Sequence, residues 1–484
     1  RGLKIDREAL GLYTAVQLSA GVVSEFPPGV TGYNILRKLE AQVSQQHHTS
    51  RKGSSQPDVL ARPEHPVSRK DIDPDALKVM YRLNRFGHTA YLVGGSVRDL
   101  LLGRRPKDFD IGTDATPRQI RKLFRNCYLV GRRFKLAHIK FGQTIIETST
   151  FRREPEGLDG PIRAADHRLR PDNAFGTPAQ DARRRDFTVN ALFYDIRTFS
   201  IIDHVGGFKD LKEEVIRCIG DPNLRFKEDP VRMIRAVRFA AKLGFTIEEE
   251  SWLAIGRHSR AILTAAPSRM MEEILRLFSV QATERAFDLL HQSGLMGEMF
   301  PEIQSFLGRD VPEKELFRTM LRTLDRVGAE GWAISPAVQL ASLSYAPLRA
   351  SMEETHRRGS HGVPAPMVYD FLDSIARRFQ MPRKIVYQVV LLLALQKKLS
   401  SPPQTGQKPR LLRHPLFAHA LTLLTIITRA TGKSQDAVQA WQRLAAEVLG
   451  SEKGDAAATA QSRPRRKKGR RPRRRRGGQQ VKKA

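Results

Sequence analysis

The chain has 484 residues, with 82 Lys and Arg against 51 Asp and Glu, a formal net charge of +31. That length allows two or three domains, and that charge calls for a polyanionic partner, most often nucleic acid. Its two cysteines, Cys127 and Cys218, have no metal-ligand spacing and are too few for a disulfide framework, which suits a reducing compartment and places the chain in the cytoplasm.

Residues 1–70 show weak periodicity and drift into a polar stretch from His47 to Gln56, so they are expected to be a disordered extension. No secretory signal is evident after Arg1-Gly2, and the adjacent His47 and His48 lack the spacing of helix-face ligands. From Asp73-Pro74 a helical pattern (Leu77, Met80, Leu83) runs to about Phe86 and stops at Gly87. Ala90 to Val93 reads as a buried strand, Gly94-Gly95 as a tight turn, and Ser96 as the opening of a helix. Such a turn aims backbone N–H groups at an anion. A second strand is expected to begin near Asp108, where positions i and i+2 share a face, so Asp108 and Asp110 project together beside the glycine turn. Paired carboxylates next to a phosphate cradle are what two-metal phosphoryl transfer requires, and oxygen ligands of this kind suit Mg²⁺. The segment reads as an enzyme site for a nucleoside triphosphate.

Thr116-Pro117-Arg118-Gln119 is a helix start with a capping box. Strands are expected at Cys127 to Val130, Lys135 to Phe141 and Ile145 to Thr150, followed by a long mobile loop from 152 to about 180. Arg183-Arg-Arg-Asp186, set before an apolar segment, suits an anion site. Asp229 is expected to cap a helix with Pro230 at its first position, and Arg232, Arg235 and Arg238 recur at i+3 as a basic stripe. Beyond about 225 strand signals vanish, and amphipathic helices follow to about 449, broken near 267, 301, 335, 364, 382 and 415. One of them holds the longest apolar run, Val389 to Leu395, which is too short to span a bilayer and reads as core; no membrane partner is expected. The fold class is therefore an α/β head, a mixed sheet with helices, followed by an all-α neck and body. The last segment, from 451, has too few apolar residues to fold and places thirteen Lys or Arg between Arg463 and Lys483 with no acid.

The stretch Tyr91 to Gly103 with Lys107-Asp-Phe-Asp-Ile111 resembles the first motif of the class II nucleotidyltransferases of the polymerase β superfamily, which comprise CCA-adding enzymes and bacterial poly(A) polymerases. Arg183 to Ala191 resembles their second motif, which implies that Arg185 lies near the ribose or phosphates and that Asp186 is a third acidic residue of the active centre. Glu147, on a neighbouring strand, is the rival for that place, and Asp186 ranks first. Asp203 to Leu211 matches the third motif, a turn joining head to neck, and Glu228-Asp-x-x-Arg232 matches the segment whose Asp and Arg pair with the base edge. By resemblance, Asp229 and Arg232 become a protein template for nucleotide choice. The implied nucleotide site comprises Gly94, Gly95, Ser96, Arg98, Arg185, Asp229, Arg232 and Arg235, with two Mg²⁺ ions on Asp108 and Asp110 and ATP as substrate. An RNA 3′-hydroxyl attacks the α-phosphate and pyrophosphate leaves.

Leu129 to Ile139 and the Arg-rich tail resemble bacterial poly(A) polymerases more than tRNA-repair relatives. The resemblance thus implies AMP addition to single-stranded RNA 3′ ends, with RNA-decay machinery as a partner class. CCA addition to tRNA is the alternative. A non-catalytic RNA-binding protein is a second, but it would show damage at Asp108, Asp110, Arg98 or the glycine pair, all of which are present. The expected domains are the extension 1–70, a catalytic head 71–224, a neck 225–310 for base and RNA binding, an RNA-binding body 311–450 and a disordered tail 451–484. Removing residues 451–484 is expected to leave addition to a saturating short primer largely intact while weakening RNA binding. The slope of log affinity against log salt should become shallower, because fewer counterions are released; a salt titration of both forms checks this.

Overall fold

The computed structural model describes residues 56–131, 136–153, 175–354, 363–403 and 411–447. Residues 1–55, 132–135, most of the expected loop (154–174) and the tail from 448 lie outside the described residues. Eight strands form one mixed sheet: β1 (Asp58–Leu60), β2 (Ala90–Val93), β3 (Ile111–Thr113), β4 (Cys127–Val130), β5 (Leu136–Phe141), β6 (Thr144–Thr150), β7 (Leu192–Asp195) and β8 (Ser200–Asp203). Their order is β1-β8-β7-β2-β3-β6-β5-β4. The β3 and β6 pair is parallel, and the other pairs in this sheet are antiparallel.

Apolar alternation decides which face of the sheet is covered. Helix α1 (Pro74–Arg85), capped by the Asp73 carboxylate, buries Ala76, Val79, Met80 and Leu83, the i, i+3, i+4, i+7 stripe of an amphipathic helix. It packs on β2, β3 and β6, on the face where Ile111, Ile139 and Ile146 are buried. On the opposite face Val93, Phe151, Ala182, Ala191, Phe193 and Ile219 make a second, smaller core. Helices α2 (Gly95–Leu101), α3 (Pro117–Leu123), α4 (Pro178–Arg183) and α5 (Gly207–Lys212) complete the head. The small core does not extend to the far end of the sheet, where Tyr128, Val130 and Ile145 are exposed. Both thiols are buried, and burial pushes Cys218 up to about 12.

From residue 222 the chain is helical: α6 (Pro222–Glu228), α7 (Val231–Leu243), α8 (Glu249–His258), α9 (Pro267–Leu277), α10 (Thr283–Gln292), α11 (Leu295–Met299), α12 (Pro301–Gly308), α13 (Glu313–Ala329), α14 (Pro336–Glu354), α15 (Ala365–Arg378), α16 (Arg383–Leu399) and α17 (Phe417–Thr431). The expected breaks coincide with the starts of α9, α12, α14, α15, α16 and α17, five of which have proline at or just before the first position. The run Val389 to Leu395 lies inside α16 with Val389, Leu392 and Leu393 fully buried.

Three expectations need correction, and two strands are not anticipated. The head sheet starts at Asp58, not at 71, because β1 pairs with β8; a three-residue edge strand is too short to show alternation. Strands β7 and β8 carry almost no polar–apolar alternation, since β7 is buried along its whole length. A two-residue parallel pair, β9 (Val215–Ile216) with β10 (Thr246–Ile247), extends strand structure past residue 225. The expected loop is shorter than 152–180, because Arg152 bridges Phe175 and α4 begins at Pro178.

The Asp203–Leu211 motif is a structural joint. The Asp203 carboxylate accepts from the backbone N–H groups of Val205, Gly206 and Phe208 at 3.0, 3.0 and 2.8 Å. Buried Asp210 accepts from the Thr188 hydroxyl at 2.6 Å and from Arg217. A Cβ on Gly207 would stand 2.2 Å from the Thr188 carbonyl oxygen, whereas one on Gly256 would meet nothing within 4 Å. Gly207→Ala is therefore expected to cost about 2–3 kcal/mol and to lower Tm in thermal denaturation. Gly256→Ala, in the middle of α8, should leave Tm unchanged or raise it.

Candidate active site

The site is assembled around the β2–α2 turn. Gly94 adopts φ +71°, its N–H donates to Leu192 O at 3.0 Å, and a Cβ there would lie 2.8 Å from the Arg185 guanidinium. Glycine lets the turn close against Arg185. Gly94, not Ser96, stands at the N-cap, and α2 starts at Gly95; the Ser96 hydroxyl donates to Val93 O at 3.0 Å. Arg98, 2% exposed, is held by Asp99 at 2.8 and 2.6 Å and donates to the Asn190 side chain. It braces the turn from below. Arg185 is held by Asp181 at 3.1 Å and reaches Asn190 O at 3.2 Å.

Asp108 and Asp110 precede β3 instead of lying in it, since the strand begins at Ile111. The Asp110 carbonyl still accepts from Val93 N–H at 3.0 Å, so the extended backbone reaches back to Asp110. Both aspartates line a cavity of about 770 Å³ together with Gly95, Ser96 and Arg98 of the turn. Its other wall carries Arg232, Arg235 and Arg238 of α7 and Arg269, Glu273 and Arg276 of α9.

Ion pairing separates the acids of this cavity into two groups. Asp186 accepts from Arg235 Nε at 2.8 Å on one oxygen, and from Phe187 N–H (2.9 Å) and Asn190 (3.4 Å) on the other. Burial works to raise its pKa, but Arg235 and these hydrogen bonds prevail and hold it below the ordinary value. Glu273, 4% exposed, is met by Arg235, Arg238 and Arg276 at 3.3, 2.8 and 3.0 Å. Asp99 is engaged by Arg98, Glu272 by Arg276, and Asp229 by both ends of the Arg269 guanidinium at 3.0 and 2.8 Å. Among the described acids lining the cavity, Asp108 and Asp110 have neither a hydrogen bond nor an ion pair on their carboxylates.

Asp110 remains open to the cleft mouth, yet protein surrounds most of it, and loss of water pushes its pKa up to about 6. Glu147 and Asp108 add repulsion, against a smaller pull from Arg185. The β3–β6 register, Ile111 opposite Thr148, puts Glu147 on the strand next to Asp110. Glu147 also faces His138 at 3.6 Å. Two carboxylates without cations of their own, one resisting ionisation chiefly because it has lost water, fit a divalent metal, whose charge would offset both that loss and the added repulsion from Glu147 and Asp108. No cluster of three or more metal-ligating side chains occurs among the described residues, and Mg²⁺ suits so few protein ligands because it keeps waters and takes phosphate oxygens.

Asp229 does not cap α7 with its side chain. The N-cap is Pro230, and Asp229 ends α6 with its carboxylate turned to Arg269. Arg232 donates to Arg225 O at 3.2 Å and approaches Glu228 at 3.4 Å; burial first, then Arg225, depress its pKa. The contributions of Arg269 and Glu273 escape sequence reasoning, because Arg269, Glu272, Glu273 and Arg276 read as the solvated face of an amphipathic helix.

A glycine turn, an unpaired aspartate couple and an arginine-lined helical wall, on a mixed sheet followed by helices, are the parts of a nucleotidyltransferase site. The description "Poly A polymerase head domain" matches residues 90–217, "Probable RNA and SrmB- binding site of polymerase A" matches 244–307, and "Polymerase A arginine-rich C-terminus" matches 365–477. Poly(A) polymerase I of Escherichia coli O157:H7 is 42% identical over 378 residues, covering 76% of this chain and 81% of that protein. The Haemophilus influenzae enzyme of the same name is 37% identical over 393 residues, covering 79% and 86%. The crystal structure of the Bacillus stearothermophilus CCA-adding enzyme in complex with CTP superposes with a TM-score of 0.57 at 26% identity, covering 78% of this chain and 83% of that one. The chain belongs to the poly(A) polymerase I family of nucleotidyltransferases.

The raised pKa of Asp110 has a stability consequence in metal-free protein. A carboxyl held above its unfolded value stabilises the fold below pH 3.8, and that contribution is lost as pH rises through about 6. Asp110→Asn should therefore raise Tm above wild type at pH 7.5 in EDTA, with the gap closing towards pH 4. Differential scanning calorimetry at the two pH values checks this; an equal gap at both would contradict the assignment.

Proposed function

We propose that this polymerase transfers AMP from ATP to RNA 3′-hydroxyls, releasing pyrophosphate, with Asp108 and Asp110 holding two Mg²⁺ ions. The observation that carries it is the unpaired aspartate couple in a cavity whose other described acids are each paired. Magnesium bound there would supply the charge that acidifies the attacking hydroxyl and neutralises the departing pyrophosphate. The Gly94–Gly95 turn lets backbone approach the triphosphate, and Arg185 and Arg235 add positive charge where it lies. Asp186 then serves as a positioning group that aims Arg235, and Glu147, beside Asp110, takes the place of third acid near the metals.

Base choice falls to Asp229 and Arg232. Adenine presents an amine that Asp229 accepts and a ring nitrogen to which Arg232 donates; guanine reverses both. Arg269 grips Asp229 from the far side and fixes the direction of its free lone pairs. The head, running from β1 to about residue 224, carries the chemistry, the neck (225–310) the base and RNA contacts, the body (311–450) further RNA contacts, and the basic tail (451–484) additional charge towards RNA. Among the described residues no helix is long and apolar enough to cross a membrane; the proposed setting is the cytoplasm, on transcript ends beside RNA-decay machinery. CCA addition is the second reading, because cytosine shares adenine's amine-and-acceptor pattern.

Purified protein with Mg²⁺ and a labelled generic RNA, offered each nucleotide separately, should use ATP well above GTP and UTP, with CTP the chief error. Asp108→Ala and Asp110→Ala should each leave at most a few per cent of activity, with RNA affinity near wild type. Asp229→Ala should flatten the nucleotide ratios. Addition of C, then a single A, to tRNA lacking its CCA end would favour tRNA repair instead.

A further inference from the structure

The sheet register carries the site beyond the cavity. Asp110 neighbours Glu147 across β3 and β6, Glu147 pairs with His138, and His138 pairs with Tyr128. One row of side chains on one face thus runs from a catalytic carboxylate to the edge strand. The flanking positions on that face are Val130 and Leu136 on one side and Lys140 and Ile145 on the other. The opposite face of the same strands is core, with Cys127 7% exposed and Ile139 and Ile146 fully buried.

This outer face is open and apolar where a folded head would ordinarily be polar. Tyr128 is 63% exposed, Ile145 49% and Val130 47%. Beyond Glu147 it carries His138 and Lys140, and β4 and β5 contain no acid. An aromatic ring with aliphatic neighbours and a lysine, with Glu147 at the end of the row beside Asp110, is a surface on which a single strand of nucleic acid can stack and track. Three strand spacings separate Asp110 from Tyr128, roughly 14 Å. That is the reach of up to about four nucleotides at roughly 3.4 Å per stacked base.

We propose that the outer face of β4, β5 and β6 is a platform for the last nucleotides of the RNA primer. Tyr128 stacks on a base, Lys140 meets the backbone, and the strand is led along the row towards Asp110. The occupant is single-stranded RNA because the face is continuous with the catalytic row and because a chain of net charge +31 favours a polyanion. The inference rests on the adenylation reading, and its test is chosen to fail separately.

The test uses an RNA oligonucleotide with 2-aminopurine near its 3′ end. Binding to the full-length protein should quench its fluorescence through stacking, in the absence of ATP and of any turnover. Tyr128→Phe should retain the quench, Tyr128→Ala should lose it, and both should keep the wild-type Tm, since the ring is largely outside the core. In steady-state assays Tyr128→Ala should raise KM for the RNA primer roughly five- to tenfold and leave KM for ATP unchanged. Lys140→Ala should make the salt dependence of binding shallower. Undiminished quenching in Tyr128→Ala overturns the platform, whatever the enzyme adds. Quenching that follows this pattern in a protein that adds no nucleotide would keep the platform and overturn the adenylation reading.

Discussion

Arg235 is gripped from two sides, and the geometry of the cavity depends on it. Asp186, from the segment between α4 and β7, takes Nε at 2.8 Å, while Glu273, from α9, takes Nη1 at 3.3 Å. One guanidinium therefore ties head to neck and first neck helix to third. Burial works against its charge, but the two carboxylates more than restore it, leaving its pKa above the ordinary value. Buried charges persist only when their partners are in place, and removing one partner leaves an uncompensated ion. Nearby, the Phe239 ring has the guanidiniums of Arg98, Arg235 and Arg238 at 5.4, 5.4 and 4.3 Å. The basic wall is stacked as well as paired, so its cations have fixed directions before any ligand arrives.

Against that wall the aspartate couple stands apart. The cavity carries more cations than acids on the neck side and unpaired carboxylates on the sheet side. On the proposed reading a nucleoside triphosphate would bring negative charge to the first, and divalent cations positive charge to the second. Each partially solves the other's electrostatic problem, so nucleotide and metal are expected to bind as a unit. Asp186 and Glu273 resemble each other chemically to Asp108 and Asp110, yet their surroundings give them the opposite task of holding arginines.

Much of this was legible in the sequence where local rules act alone. The Gly94–Gly95 turn, the carboxylate pair, the strands β4 to β6 and the proline-marked helix starts each follow from neighbours in the chain. Asp229 departs from its local signal: Asp-Pro before an apolar stretch is a sound cap signal, but a guanidinium forty residues on, Arg269, takes the carboxylate. The sequence ranks Asp186 above Glu147 without seeing that Arg235 occupies the first carboxylate and that strand register sets the second beside Asp110. Strands β1, β7 and β8 were illegible because one is very short and the others are buried on both faces, which erases alternation.

The parallel pairing of β3 with β6 has a consequence for how this architecture can diversify. The two strands lie side by side although α3, β4 and β5 intervene in the chain. The β4–β5 hairpin therefore hangs outboard, touching the sheet through β6, while the register that sets Asp110 is fixed by β2 on one side and β6 on the other. Changes confined to that hairpin leave in place the two strands that set Asp110. The outboard edge is thus the part of the sheet that can be remodelled with least effect on the aspartate couple.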